Sequence, residues 1–221
     1  LDHPRPATQS FRGGKARYEI NTQLAVGLEN LAKREGATLF MVMLAAFKTL
    51  LHRYTGQEDI VVGSPIANRN RKELEGLIGF FVNSLVLRDT LKSDMTFREL
   101  LRQVKETALG AYDHQDLPFE KLVEELNPER DMSRNPLFQV IFAVQNAPMK
   151  PMELDGLTFA SQEYEVSTTR LDLELHVWQV KDVLRCIVYY STDIFENQTI
   201  ERLLRHYETL LEEVVKNSER R

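Results

Sequence analysis

The stretch IVVGSPIANRNRKELEGLIGFFVNSLVLR, Ile60 to Arg88, decides how the rest of the chain is read. It holds two short apolar runs, Ile60 to Val62 and Phe80 to Leu87. Each is too short for a helix and has the length of a strand buried on both faces. Between them stand Gly63-Ser64-Pro65 and a charged segment with Arg69, Arg71, Lys72, Glu73 and Glu75, which reads as a solvated turn. Asn83 and Ser84 interrupt the second run, and such groups cost free energy in an apolar layer unless they are hydrogen-bonded. A strand facing a site has this pattern, and so does a strand whose Asn is a structural hydrogen-bond hub.

Working outward, the whole chain has 221 residues, 43% hydrophobic and 28% charged, as expected of an ordinary soluble globular domain. A net charge of -5 and a pI near 5.6 argue against a nucleic-acid partner, which selects for a basic excess. The single cysteine, Cys186, lies in an apolar run; it supports neither a disulfide framework nor metal spacing and suits a reducing cytoplasm. The longest apolar stretch, Leu39 to Leu51, is interrupted by Lys48 and Thr49 and is too short for a membrane span. No secretory leader is expected in the polar, proline-containing opening.

Upstream of the central stretch, residues 1–15 read as a linker arriving from another part of a larger fold. Ala16 to Ile20 predicts a short strand. Asn21 or Thr22 then caps a helix with Leu24, Leu28, Leu31 and Ala32 on one stripe, ended by Gly36. Thr38 caps a second helix, apolar on most sides, that ends at Gly56.

Downstream, Thr96 and Glu99 form a capping box, with Met95 and Leu100 as its staple, ahead of a helix burying Phe97, Leu100, Leu101, Val104, Ala108, Ala111 and Tyr112. Pro118 suits the first turn of a short helix with Phe119, Leu122, Val123 and Leu126 inward, stopped by Asn127-Pro128. Leu137 to Gln145 predicts a strand with a polar edge at Gln139 and Gln145, ended by Pro148 and Pro151. A weaker strand, Leu157 to Tyr164, opens on the Asp155-Gly156 turn. Leu171 to Val180 and Val183 to Tyr190 alternate on either side of Lys181-Asp182 and predict a hairpin. The last helix carries Ile200, Leu203, Leu204, Tyr207, Leu210, Leu211, Val214 and Val215 on one stripe, and residues 217–221 are expected to fray. The expected fold class is α/β, a mixed β-sheet flanked by helices.

For chemistry, the five histidines are His3, His52, His114, His176 and His206. His52 and His206 fall in helices, and His176 falls in a strand on the face of Asp172 and Glu174; each reads first as structural. No phosphate loop, nucleophile elbow or metal-ligand spacing occurs in the sequence, so no complete active site is legible from residue chemistry.

Several strings together resemble the condensation domains of nonribosomal peptide synthetases: IGFFVNSLVLR (Ile78 to Arg88), HQDLPFEKLVEEL (His114 to Leu126) and RDMSRNPLFQVIFAVQN (Arg130 to Asn146). Two further strings, Tyr54 to Arg69 and Tyr189 to Val214, resemble the stretches before and after them, so the resemblance spans Ala16 to Val215. It implies one lobe of a two-lobe, chloramphenicol acetyltransferase-like fold whose lobes enclose a tunnel. The family's catalytic motif, His-His-x-x-x-Asp-Gly, belongs to the N-terminal lobe. Four residues past each histidine of this chain stand Ala7, Gly56, Pro118, Val180 and Leu210, none of them Asp.

The resemblance therefore implies a C-terminal lobe over residues 16–216, with the catalytic histidine elsewhere. A self-contained pocket in which a His touches a carboxylate would oppose that reading. Implied partners are the N-terminal lobe, peptidyl or aminoacyl carrier proteins and an adjacent adenylation domain. No cofactor is bound directly, and the substrates ride on carrier phosphopantetheine. Ser64 and Asn83 are the expected tunnel-lining residues. Arg69, His114, Gln115, Asp116, Arg134 and Asn135 are motif residues expected to be structural, with Asp116 placed to cap the short helix. The segment Asp131 to Gln145 is a candidate to cross to the other lobe. A peptide-bond-forming lobe, a non-catalytic carrier-binding module and an independent trimeric acetyltransferase are the readings to weigh, and the missing His-x-x-x-Asp spacing disfavours the last.

Overall fold

A computed structural model describes residues 1–145 and 167–220. The weaker strand expected at Leu157 to Tyr164, with its Asp155-Gly156 turn and the prolines at 148 and 151, lies outside the described residues. The rest forms a sheet in the order β1-β6-β5-β4-β2-β3. The strands are β1 (Gly13–Ile20), β2 (Asp59–Ile66), β3 (Asn83–Thr90), β4 (Val140–Gln145), β5 (Leu173–Val180) and β6 (Val183–Ser191). β1 with β6, β5 with β6 and β2 with β3 are antiparallel, whereas β4 runs parallel to both β2 and β5, so the sheet is mixed.

Helices α1 (Thr22–Arg34), α2 (Leu39–Thr55), α4 (Phe97–Asp113) and α6 (Asn197–Lys216) pack together with the sheet. Their starts follow the sequence. Asn21 and Thr38 accept the backbone N–H of Leu24 and Met41, and Thr96 with Glu99 forms the reciprocal capping box. Gly56 ends α2 in the left-handed region at φ 70°, where a side chain would be strained. The core gathers Leu28 and Leu31 of α1, most of α2, Leu101 and Val104 of α4, Leu204, Tyr207 and Leu211 of α6, and Phe142, Leu175 and Val188 of the sheet. Burial pushes the thiol of Cys186 up to about 12, so it acts as a small apolar side chain. Among the described residues no single helix is long and apolar enough to cross a membrane; α1 and α2 together approach that composition but meet at a bend of 104°.

Several expectations are corrected. β3 begins at Asn83, so Phe80, Phe81 and Val82 are outside it, and Phe80 is 91% exposed. β3 is also an edge strand with alternating burial, not a strand covered on both faces. Leu126 points away from the core, because the short α5 (Phe119–Leu126) packs at the start of β3, not over the helix layer. β4 sits between β2 and β5, paired with β5 from Val140 to Gln145 and with β2 through Ile141 and Gly63, so Val140 to Gln145 stays in this sheet.

The opening segment is bound to the sheet. Gly13 to Lys15 belong to β1, and Arg5 makes two hydrogen bonds to the carboxylate of Asp172 and one of 3.2 Å to the carbonyl of Ser133. Near its end the chain is hydrogen-bonded back to the start of α4: Phe97 and Arg98 donate their N–H groups to the carbonyls of Arg220 and Ser218.

Candidate functional site at the end of β2 and β3

Asn83, Arg69, Gln115 and Asp116, singled out in the sequence, lie around one end of the sheet, where β2 leaves at Ile66 and β3 returns at its register partner Asn83. Asn83 is nearly buried, and its amide is fully used. The nitrogen donates to the carbonyls of Gln115 (2.9 Å) and Leu117 (2.8 Å), and the oxygen accepts the N–H groups of Ser84 (2.9 Å) and Phe119 (3.0 Å). Two donors and a two-lone-pair acceptor are all that an Asn has. Asn83 is thus the hydrogen-bond hub that ties the α4–α5 connection to the sheet.

This arrangement corrects the expected role of Asp116. The N-cap of α5 is Pro118, which has no capping side chain, and the orphan N–H of Phe119 goes to Asn83 across the chain. Asp116 instead accepts the side-chain N–H of Asn70 at 3.1 Å, tying the β2–β3 loop to the same connection. His114 closes α4 and pairs its Nδ1 with the carbonyl of Gly110 at 2.9 Å, and Gln115 takes part through its backbone.

The loop between β2 and β3, which includes the short helix α3 (Lys72–Glu75), is organised by Arg69 and is not a simple solvated turn. Its guanidinium donates to the carbonyls of Leu74 and Gly79 and lies over the ring of Phe81, 4.3 Å from the centroid. Folding the loop inward on Arg69 leaves Leu77, Ile78, Phe80 and Val82 on its outside, all exposed.

Ser64 is buried in β2 opposite Leu85. A Cβ at the neighbouring Gly63 would run into the ring of Phe138, which itself packs on Phe119 of α5 with centroids 5.4 Å apart. Only a glycine lets that aromatic pair close over β2. Arg134 and Asn135 lie in a separate turn: Arg134 approaches Asp131 at 3.6 Å, and Asn135 donates to the carbonyl of Arg170 at 2.6 Å.

One histidine does meet a carboxylate. His176 Nε2 lies 3.3 Å from Glu174 Oε2, and its Nδ1 lies 3.4 Å from the amide nitrogen of Gln145. The imidazole also stacks on Trp178 and meets Tyr189 edge-on. Burial pushes the Glu174 carboxyl up, but the hydrogen bonds and charge of His176, with a bond from Thr169, outweigh it and hold the group below its ordinary value. A neighbouring cleft of about 700 Å³ is lined by Glu174, by Tyr189, which is edge-on to His176, and by Phe11 and Asn135; His176 itself is not among its lining residues. With both ring nitrogens engaged, by Glu174 and Gln145, His176 is part of the sheet's polar packing among the described residues.

Among the ion pairs that sequence reasoning misses, two are shielded from solvent. Lys48, inside the apolar run of α2, reaches Asp89 of β3 and the carbonyl of Leu87 (2.8 Å) at the centre of the core. Arg5 with Asp172 is the other. A lone Lys in an apolar helix and an Asp in the alternation of a strand are the available signals. Among the described residues, no three His, Cys, Asp or Glu side chains are grouped to hold a metal ion.

The sheet order, the helix layer and the aromatic-lined sheet end define a class, and comparison with known sequences gives its name. The chain matches the condensation domain family over residues 1–221 and belongs to it. It is 45% identical over 212 residues to bacitracin synthase 3 of Bacillus licheniformis, covering 96% of this chain and 3% of that protein. It superposes on a four-domain nonribosomal peptide synthetase bound to AMP and glycine with a TM-score of 0.89 at 29% identity, covering 100% of this chain and 18% of that one. The X-domain from teicoplanin biosynthesis, solved in complex with OxyB, gives a TM-score of 0.90 at 29% identity, covering 100% of this chain and 49% of the other. The chain thus spans a few per cent of the curated synthetase and about half of the X-domain structure.

Proposed function

We propose that the chain is the C-terminal lobe of a peptide-bond-forming condensation domain and is catalytically incomplete alone. The observation that carries this reading is the outward apolar set Leu77, Ile78, Phe80 and Val82, held on a loop braced by Arg69 and by Asn70 with Asp116. It fits a surface meant to be covered by the N-terminal lobe.

In the joined domain, the acceptor's amine attacks the donor's thioester carbonyl. A C–N bond forms, the C–S bond breaks, and the pantetheine thiol leaves with a proton. The lobes contribute positioning, which removes much of the entropic barrier, and the base comes from the N-terminal lobe. Within this chain, Ser64 and Asn83 are assigned to the tunnel wall. Asn83 acts there by fixing the α4–α5 turn, since its own amide is already engaged. Carrier proteins bearing phosphopantetheine and an adjacent adenylation domain are the partners, and the cytoplasm is the compartment.

A second reading, a non-catalytic docking module, draws on the X-domain's solved complex with OxyB. Supplying an N-terminal lobe separates the two. The first reading expects association and amide formation between two loaded carrier proteins, both lost in Ile78→Asp/Phe80→Asp while the melting temperature of this chain is unchanged. Association without amide formation favours the second reading.

A further inference from the structure

The helix layer carries a groove of about 630 Å³ between the second half of α2, the β3–α4 connection and α6. Its floor is apolar, with Leu91, Phe97, Leu210 and Val214. Its rim carries the cations Arg53 of α2 and Lys92 of the connection, with the imidazoles of His52 and His206 beside them, and Arg220 of the tail, which is paired with Glu213. The carboxylate among the lining residues, Glu213, is already paired with Lys216 and Arg220. His52 and His206 have Nδ1 tied to the carbonyl of Gln57 (2.6 Å) and the hydroxyl of Tyr54 (2.9 Å), which fixes both rings at the rim. On a chain of net charge -5, the rim keeps two cations, Arg53 and Lys92, that no lining carboxylate balances.

We propose that this groove docks a peptide segment that combines an apolar spine with a pair of spaced acidic side chains. A concave apolar floor of this size fits a few inserted aliphatic side chains. The rim decides the rest. Arg53 and Lys92 stand on separate elements, so they match carboxylates spaced along one segment better than the single headgroup of a fatty-acid-like ligand. The inference goes beyond the lobe assignment and does not depend on it.

The test is fluorescence anisotropy of the full chain with a labelled Leu-Leu-Glu-Glu repeat peptide. Saturable, salt-weakened binding is expected, reduced roughly tenfold or more by Arg53→Glu/Lys92→Glu and by the groove-filling Thr209→Trp, with melting temperatures unchanged. Leu-Leu-Lys-Lys and Ser-Ser-Glu-Glu repeats should bind far more weakly. Equal binding of the charge-reversed repeat, insensitivity to the paired substitution, or full displacement of the peptide by dodecanoate would each overturn the proposal.

Discussion

Lys48 and Asp89 form an ion pair with both side chains fully excluded from solvent. Asp89 also accepts from Thr107 (2.7 Å) and Gln103 (3.3 Å), so it ties α2, β3 and α4 to one point. Burial pushes the Lys48 amine below its ordinary value, and the charge and hydrogen bond of Asp89 oppose that. Breaking such a pair strands a buried charge, whereas removing both charges does not. Lys48→Met is expected to cost about 3–5 kcal/mol in urea denaturation. The double variant Lys48→Met/Asp89→Leu should recover most of that loss.

Asn83→Ala leaves the carbonyls of Gln115 and Leu117 and the N–H of Phe119 without their partner. A loss of about 1–3 kcal/mol is expected. In the assembled domain, turnover per folded molecule should fall as well, because the turn that carries α5 loosens. Normal turnover per folded molecule, measured beside the melting curve, would make Asn83 a stability residue alone.

Glu174 gives a pH dependence with a definite sign. Its folded-state pKa lies below the ordinary value of 4.5, so its ionised form stabilises the fold above that pH, and the contribution is lost as pH falls through the folded value. Glu174→Gln should therefore melt lower than the parent at neutral pH, and the two curves should converge in acid. Melting temperatures followed from pH 7 downward check this; a constant gap would show that the ionised carboxylate contributes nothing.

Much of the fold is legible in the sequence because its signals are local. The Thr96 and Glu99 capping box, the Gly56 stop, the β5–β6 hairpin and the α6 stripe each rest on residues a few positions apart. What stays hidden is non-local. Nothing in Leu137 to Gln145 states that β2 and β5 will flank it, so its edges read as free. The start of β3 is misplaced by sequence because an apolar run gives no sign that Arg69 will draw the loop back and turn Phe80 outward. Asp116 is a reasonable cap by spacing, but the cap comes from Asn83, distant in the chain. At the candidate site, sequence strings leave the role of Asn83 open between ligand and hub; the bonds to Gln115, Leu117 and Phe119 make it the hub.

The central claim is that this chain holds one wall of a tunnel whose base lies on another lobe. Two loaded carrier proteins incubated with the lone chain test it most directly, with product followed by mass spectrometry. No amide above the uncatalysed background is the predicted result. Turnover by the lone chain, abolished by His176→Ala, would contradict the account.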